Sequence, residues 1–192
     1  MRKLIAITAP SGAGKTTIVR HLLATYDELA FSVSATNRKR RDHETDGKDY
    51  YFLSTREFKQ RIQNGDFLEW EEVYDNQFYG TLKSEVDRIW EDGKNIVFDI
   101  EVKGATNIKK MYPGDQSMVI FIRPPSLETL IERLKNRKTE TAKSLKKRIA
   151  RVKEEMTYEN NFDKILVNDI LEVALKEAEL IIEDYLDIET DD

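Results

Sequence analysis

The 192-residue sequence contains no cysteine. That excludes disulfides and thiolate-held metals, and it suits a reducing cytosol. No apolar stretch approaches 18 residues, so neither a membrane-spanning helix nor membrane association is expected. The apolar run near the start is too short for a signal peptide and reads better as a strand. Basic residues are not in excess: 31 Lys and Arg stand against 36 Asp and Glu, a net charge of −5. A general nucleic-acid binder is therefore not expected. There is no internal repeat and no low-complexity linker. What remains is a cytoplasmic globular chain, long enough for one substantial core with small appended modules.

Apolar strands alternate with amphipathic helices, which implies a parallel sheet covered on both faces. Strands are expected at Leu4–Thr8, Ile96–Glu101, Val119–Ile122 and Ile165–Asn168. Helices are expected at Lys15–Leu23, Thr81–Glu91, Ser126–Arg137, Ser144–Glu159 and Leu171–Leu186, the middle three with an apolar stripe at helical spacing. Residues 31–80 break this rhythm. Phe31–Thr36, Asp49–Leu53 and Phe67–Tyr74 read as short strands, with a helix at Thr55–Gln63 capped by Ser54 and Glu57. The reading is a small β-rich insert on an α/β core, with a second insert near residues 136–144.

The first strand runs into Ala9-Pro10-Ser11-Gly12-Ala13-Gly14-Lys15-Thr16-Thr17. This is a phosphate-binding loop between a buried strand and a helix start. Gly12 and Gly14 let backbone N–H groups face phosphate oxygens, Lys15 reaches the β- and γ-phosphates, and the Thr16 hydroxyl is suited to hold Mg²⁺. The helix opening at Lys15 adds its positive dipole end. A relaxed match arises by chance in about one chain in a hundred of this length, and fewer such matches would follow a strand and open a helix. Ala9 stands where the strict pattern has glycine, which a negative φ tolerates.

A second basic cluster, Arg38-Lys39-Arg40-Arg41, precedes Asp49-Tyr50-Tyr51. Arginine forks bind phosphate bidentately and a tyrosine hydroxyl adds a donor. By composition alone the cluster is either a solvated basic turn or a clamp for a second phosphorylated ligand. Its position between two strands of an otherwise unexplained insert favours the clamp.

Phe31-Ser32-Val33-Ser34-Ala35-Thr36-Asn37-Arg38, then Arg41, Glu44 and Gly47-Lys48-Asp49-Tyr50, resemble the motifs of the guanylate kinase family. So do Phe67-Leu68-Glu69-Trp70, Tyr79-Gly80-Thr81, Asp99-Ile100-Glu101, Pro124-Pro125-Ser126 and Val167-Asn168-Asp169. They follow the family order from about Leu4 to Leu186. The resemblance implies a nucleoside monophosphate kinase fold with a phosphate loop, a β-rich GMP-binding insert and a lid. It divides the chain into a core (1–30, 81–135 and 149–192), an insert (31–80) and a lid (136–148). It implies transfer of the ATP γ-phosphate to GMP, and to dGMP, giving ADP and GDP in purine nucleotide metabolism. Mg²⁺ is the implied cofactor, held by Thr16 directly and by Asp99 through water. The substrates are the implied partners, in a monomer or homodimer.

By the same resemblance, Arg38, Arg41, Tyr50 and Tyr79 would clamp the GMP phosphate. Glu69 would accept from guanine N1–H and its 2-amino group, with Ser34 and Thr81 completing the base edge. Glu44, Gly80, Asp99 and Glu101 would belong to the same site. Adenine lacks that donor pair and would leave a buried Glu69 carboxylate unpaired. Read without the resemblance, Glu69 is an ordinary strand carboxylate, and Asp99 a strand-end residue capping the next helix. Arg137 and Arg148 would close over the phosphates, with Arg133 and Asn168 near adenine. Lys15, Arg38, Arg41, Arg137 and Arg148 would carry the reaction. Arg40 stands where many relatives have proline, and Asn136 and Lys138 where lid glycines are common. The competing reading is an inactive guanylate-kinase-like binding module.

Overall fold

The computed structural model describes residues 2–136 and 142–188. In chain order its strands and helices are β1 (Leu4–Thr8), α1 (Lys15–Thr25), β2 (Leu29–Phe31), β3 (Ala35–Thr36), β4 (Tyr51–Phe52), α2 (Thr55–Asn64), β5 (Phe67–Tyr74) and β6 (Gln77–Leu82). There follow α3 (Lys83–Glu91), β7 (Asn95–Asp99), α4 (Val102–Met111), β8 (Ser117–Arg123), α5 (Leu127–Asn136), α6 (Ala142–Met156), β9 (Lys164–Val167) and α7 (Leu171–Leu186).

Five strands form a parallel sheet in the order β2-β7-β1-β8-β9. All five residues of β1 are buried, as a central strand covered on both faces requires. Its side chains divide by the period of two. Ile5 and Ile7 join Leu22, Leu130, Val152 and Ile182, the face covered by α1, α5, α6 and α7. Leu4 and Ala6 join Val86, Ile89, Ala105 and Ile108, the face covered by α3 and α4. Parallel strands put their carboxyl ends on one rim, where such sheets bind ligands. Thr8, which leads into the phosphate loop, and Asp99, at the end of β7, lie on that rim; Ile7 is the register partner of Asp99.

A separate four-stranded sheet, β4-β3-β6-β5, forms the insert. It has its own core of Ala35, Phe58, Phe67, Phe78 and Leu82. Phe58 is fully buried and stacks on Phe67 at 4.4 Å between ring centroids. Its helix, α2, starts on the expected capping box: the Glu57 N–H donates to Ser54 Oγ (3.2 Å), and the Ser54 N–H to Glu57 Oε2 (2.8 Å).

The structure corrects several expected boundaries. The expected strand Phe31–Thr36 is split between the two sheets, because residues 32–34 carry the chain from one to the other. The Ser32 N–H still donates to the Val97 carbonyl, whereas the Val33 N–H turns to buried Glu85. The stretch Gln77–Leu82 forms a strand, so the next helix begins at Lys83 rather than Thr81. Asn76, at φ 54°, makes the turn that pairs β6 with β5. Helix α4 was not anticipated either; Glu101 leaves the strand early to become its N-cap. Helix α6 ends at Met156, short of Glu159. The expected lid lies partly outside the described residues, and Arg137 wholly so. Among the described residues no helix is long and apolar enough to cross a membrane.

Candidate active site

The loop after β1 turns through Gly12 (φ 96°) and Gly14 (φ 97°), a left-handed region costly for residues with a side chain. Gly14 is the N-cap of α1 and has no side chain to cap it, so no cap side chain competes for the first amides of the helix. The loop is braced from behind. The Asn168 side-chain amide donates to the Ala13 carbonyl at 2.7 Å, and a Cβ on Gly14 would lie 2.2 Å from Asn168 Nδ2. Asn168, expected near adenine, is buried against the loop. Arg133 likewise reaches the Asn168 carbonyl (3.2 Å), tying α5 to the end of β9.

Lys15 points to the strand ends. Its Nζ lies 2.5 Å from Asp99 and 3.1 Å from the Ile100 carbonyl. Burial would lower its pKa, but the carboxylates of Asp99 and Glu101 outweigh that and hold the ammonium firmly protonated. Asp99 therefore faces the loop lysine and does not cap α4, whose N-cap is Glu101.

Across a cleft of about 340 Å³ stands the insert. Arg38 makes a fork to Glu44 (2.5 and 2.7 Å) and stacks 4.8 Å over the Tyr50 ring. Hydrogen bonding to that guanidinium pulls the Glu44 carboxyl down to about 2. Glu44 also accepts from the Arg41 N–H (2.9 Å). It is buried behind the two arginines and orients them. Arg38, Arg41, Tyr50 and Tyr79 all line the cleft, with the Tyr50 and Tyr79 rings 6.0 Å apart. Burial raises the pKa of both phenols, so they remain donors.

Glu69 projects from β5 into the same cleft and is only 7% exposed. Thr81 Oγ1 donates to its Oε1 at 2.7 Å. Burial pushes its pKa up to about 7, against the opposing Thr81 hydrogen bonds. Gly104 of α4 makes room for it: a Cβ there would meet Glu69 Oε2 at 2.7 Å. Ser34 and Gly80 line the cleft beside it. Thr81 is fully buried, and its hydroxyl meets the site at Glu69.

Residues 9–17, Asp99, Glu101 and Arg148 complete the wall. Arg148 Nη1 sits 3.4 Å from the Ser11 hydroxyl of the loop. Glu71, Tyr74, Arg151 and Glu155 also line the cleft and were missed from the sequence. Two had a signal: Glu71 shares the strand face of Glu69, and Arg151 lies one helical turn beyond Arg148.

Comparison with known proteins shows the family. A family model described as guanylate kinase matches residues 1–185. The chain is 47% identical over 189 residues to a guanylate kinase of Bacteroides fragilis, covering 98% of this chain and 92% of the relative. It is 49% identical over 185 residues to one from Salinibacter ruber, covering 96% and 97%. The crystal structure of guanylate kinase from Anaplasma phagocytophilum superposes with a TM-score of 0.75 at 25% identity, over 98% of this chain and 88% of that one. By sequence, fold and the arrangement of its cleft, the chain belongs to the guanylate kinase family.

Proposed function

We propose that the chain transfers the γ-phosphoryl group of ATP to GMP or dGMP, giving ADP and the guanosine diphosphate, in the cytoplasm. One observation carries this reading: a phosphate loop and an arginine–tyrosine cluster face each other across a single cleft, with a buried carboxylate at its insert end. The loop suits a triphosphate. Arg38, Arg41, Tyr50 and Tyr79 suit a monophosphate, and Glu69 suits a base with two adjacent N–H donors. A loop that keeps Lys15 and Thr16 in working geometry speaks against an inactive binding module.

The acceptor is an ionised phosphate, so the reaction needs alignment and positive charge rather than a general base. A GMP phosphate oxygen attacks the γ-phosphorus, and the bond to the β–γ bridging oxygen breaks. Lys15 leaves Asp99 for the β- and γ-oxygens. Arg148, already beside the loop at Ser11, neutralises charge on the transferring group, joined by Arg137. Glu44 keeps Arg38 in its fork-ready rotamer, which reduces the ordering entropy lost when phosphate arrives. Residues 136–148 act as the lid, 31–80 as the GMP-binding insert and the rest as the core. Closure excludes water, so phosphoryl transfer outruns ATP hydrolysis.

Mg²⁺ fits the oxygen donors present. The Thr16 hydroxyl and Asp99 carboxylate both line the cleft, and among the described residues no cluster of three or more acidic or histidine side chains offers a cage. Few protein ligands, with phosphates and water supplying the rest, is the arrangement this ion favours. When bound it would offset charge on the β- and γ-oxygens. A coupled assay of ADP production with GMP, dGMP, AMP, dTMP or no acceptor tests the reading. Rapid turnover only with the guanine nucleotides is expected; turnover with AMP or dTMP at a similar rate refutes it.

A further inference from the structure

Arg151 occupies a junction that the phosphoryl-transfer chemistry does not by itself require. It lies on α6, three residues after Arg148, and reaches three parts of the molecule. Its Nε donates to Glu155 Oε1 on its own helix at 2.6 Å. Its Nη1 donates to the Val73 carbonyl of the insert at 2.9 Å. Its Nη2 donates to Glu101 Oε2, beside the loop lysine, at 3.2 Å, with Glu71 Oε1 at 3.9 Å. The guanidinium also sits 5.4 Å from the Tyr74 ring centroid.

The receiving carbonyl is exposed by a specific irregularity. In the β5–β6 ladder, Glu72 pairs with Phe78 and Tyr74 with Gln77, and the register skips Val73. A bulge of this kind turns one peptide out of the ladder and re-aims it. The freed carbonyl meets a planar fork able to serve several acceptors at once, which a lysine ammonium cannot match. Three carboxylates, Glu71, Glu101 and Glu155, also converge on Arg151 from β5, from the N-cap of α4 and from α6.

We infer that Arg151 is a positioning residue: by seating α6 on the bulge of the insert and on Glu101, it holds Arg148 against the phosphate loop. Docking of the insert and delivery of the phosphate-side arginine then become one event. This rests on the reading of Arg148 as a group that touches the transferring phosphate.

The test is a double-mutant cycle on kcat, with GMP and ATP affinities measured separately by calorimetry. Arg151→Ala should lower kcat at least about tenfold, with GMP and ATP-analogue affinities within about threefold of the parent. In an Arg148→Ala background, the same substitution should lower kcat by no more than about twofold, because the residue it positions is gone. Arg151→Lys keeps the charge but not the fork and should recover only part of the loss. Multiplicative losses in the double variant, or full kcat in Arg151→Ala, overturn the inference and leave the role of Arg148 intact. Full kcat in Arg148→Ala would instead remove the underlying reading along with this one. If Arg151→Ala fails to fold by circular dichroism, Arg151→Lys carries the same cycle, and multiplicative losses there overturn the inference equally.

Discussion

GMP binding should depend on pH through Glu69. Only the ionised carboxylate can accept from both guanine N–H groups, and burial holds the ligand-free group at about 7. About nine-tenths of the molecules are then ionised at pH 8 and about one-tenth at pH 6. The apparent affinity scales with the competent fraction, so it should fall roughly tenfold between those values. At pH 7, binding should release about half a proton per GMP from this residue as the two donors pull its pKa down. The GMP phosphate itself titrates near pH 6 and adds its own slope. Glu69→Gln separates the two effects, because it keeps the phosphate and loses the carboxylate. Calorimetry from pH 6 to 8, in two buffers of different ionisation enthalpy, reads both affinity and proton count. The variant should bind roughly 10²–10³-fold more weakly at pH 8, having lost a charged hydrogen bond and set a donor against a donor. It should also show only the phosphate slope. Identical pH profiles for parent and variant would refute the assignment.

The same carboxylate should destabilise the empty protein. Its folded pKa lies above the unfolded value of 4.5, so the favourable protonation is complete below about pH 4.5 and is lost as pH rises through 7. Glu69→Gln should therefore raise stability by up to about 3 kcal/mol at pH 8 and by little at pH 4, as read from urea midpoints at the two pH values. Gly104→Ala should leave the fold intact, because the displaced atom is the end of a flexible side chain, yet raise the KM for GMP about tenfold or more with that for ATP unchanged. Equal shifts in both constants would refute it. Lys15→Ala should lower kcat at least roughly a hundredfold while the melting temperature moves little, and near-normal turnover would refute the mechanism.

Local patterns legible in the sequence were those that report on one element at a time. The phosphate loop, the α2 capping box and the stripes of α5 and α6 follow from residues close together in the chain. What escaped depends on pieces meeting in space. Phe31–Thr36 looks like one strand because nothing local marks the change of sheet at residues 32–34, which Val97 and Glu85 determine from far along the chain. Helix α4 was missed although Val102, Ala105 and Ile108 stand at helical spacing, because Gly104 and Thr106 weaken its propensity. Among site residues, the loop, Arg38, Arg41 and Tyr50 stood out by residue type, whereas Glu69 and Tyr79 were named through the family resemblance; all line the cleft. Glu44 and Asn168, named through the resemblance as ligand contacts, also brace the Arg41 backbone and the phosphate loop, and nothing local in the sequence marks that second role. Arg151 carried only its place one helical turn beyond Arg148, since its partners Val73 and Glu71 lie far off in the sequence.

The phenylalanine cluster of the insert shares no residue with the two that flank the main sheet. A module with its own oily centre can swing as a unit without melting, and its amide protons should exchange with solvent as a block, apart from those of β1 and β8. Glu85 receives the Val33 N–H and the Tyr51 hydroxyl at 3.0 Å each, like a pin through a hinge. One acidic side chain of α3 thereby ties the crossing between the two sheets to β4 of the insert.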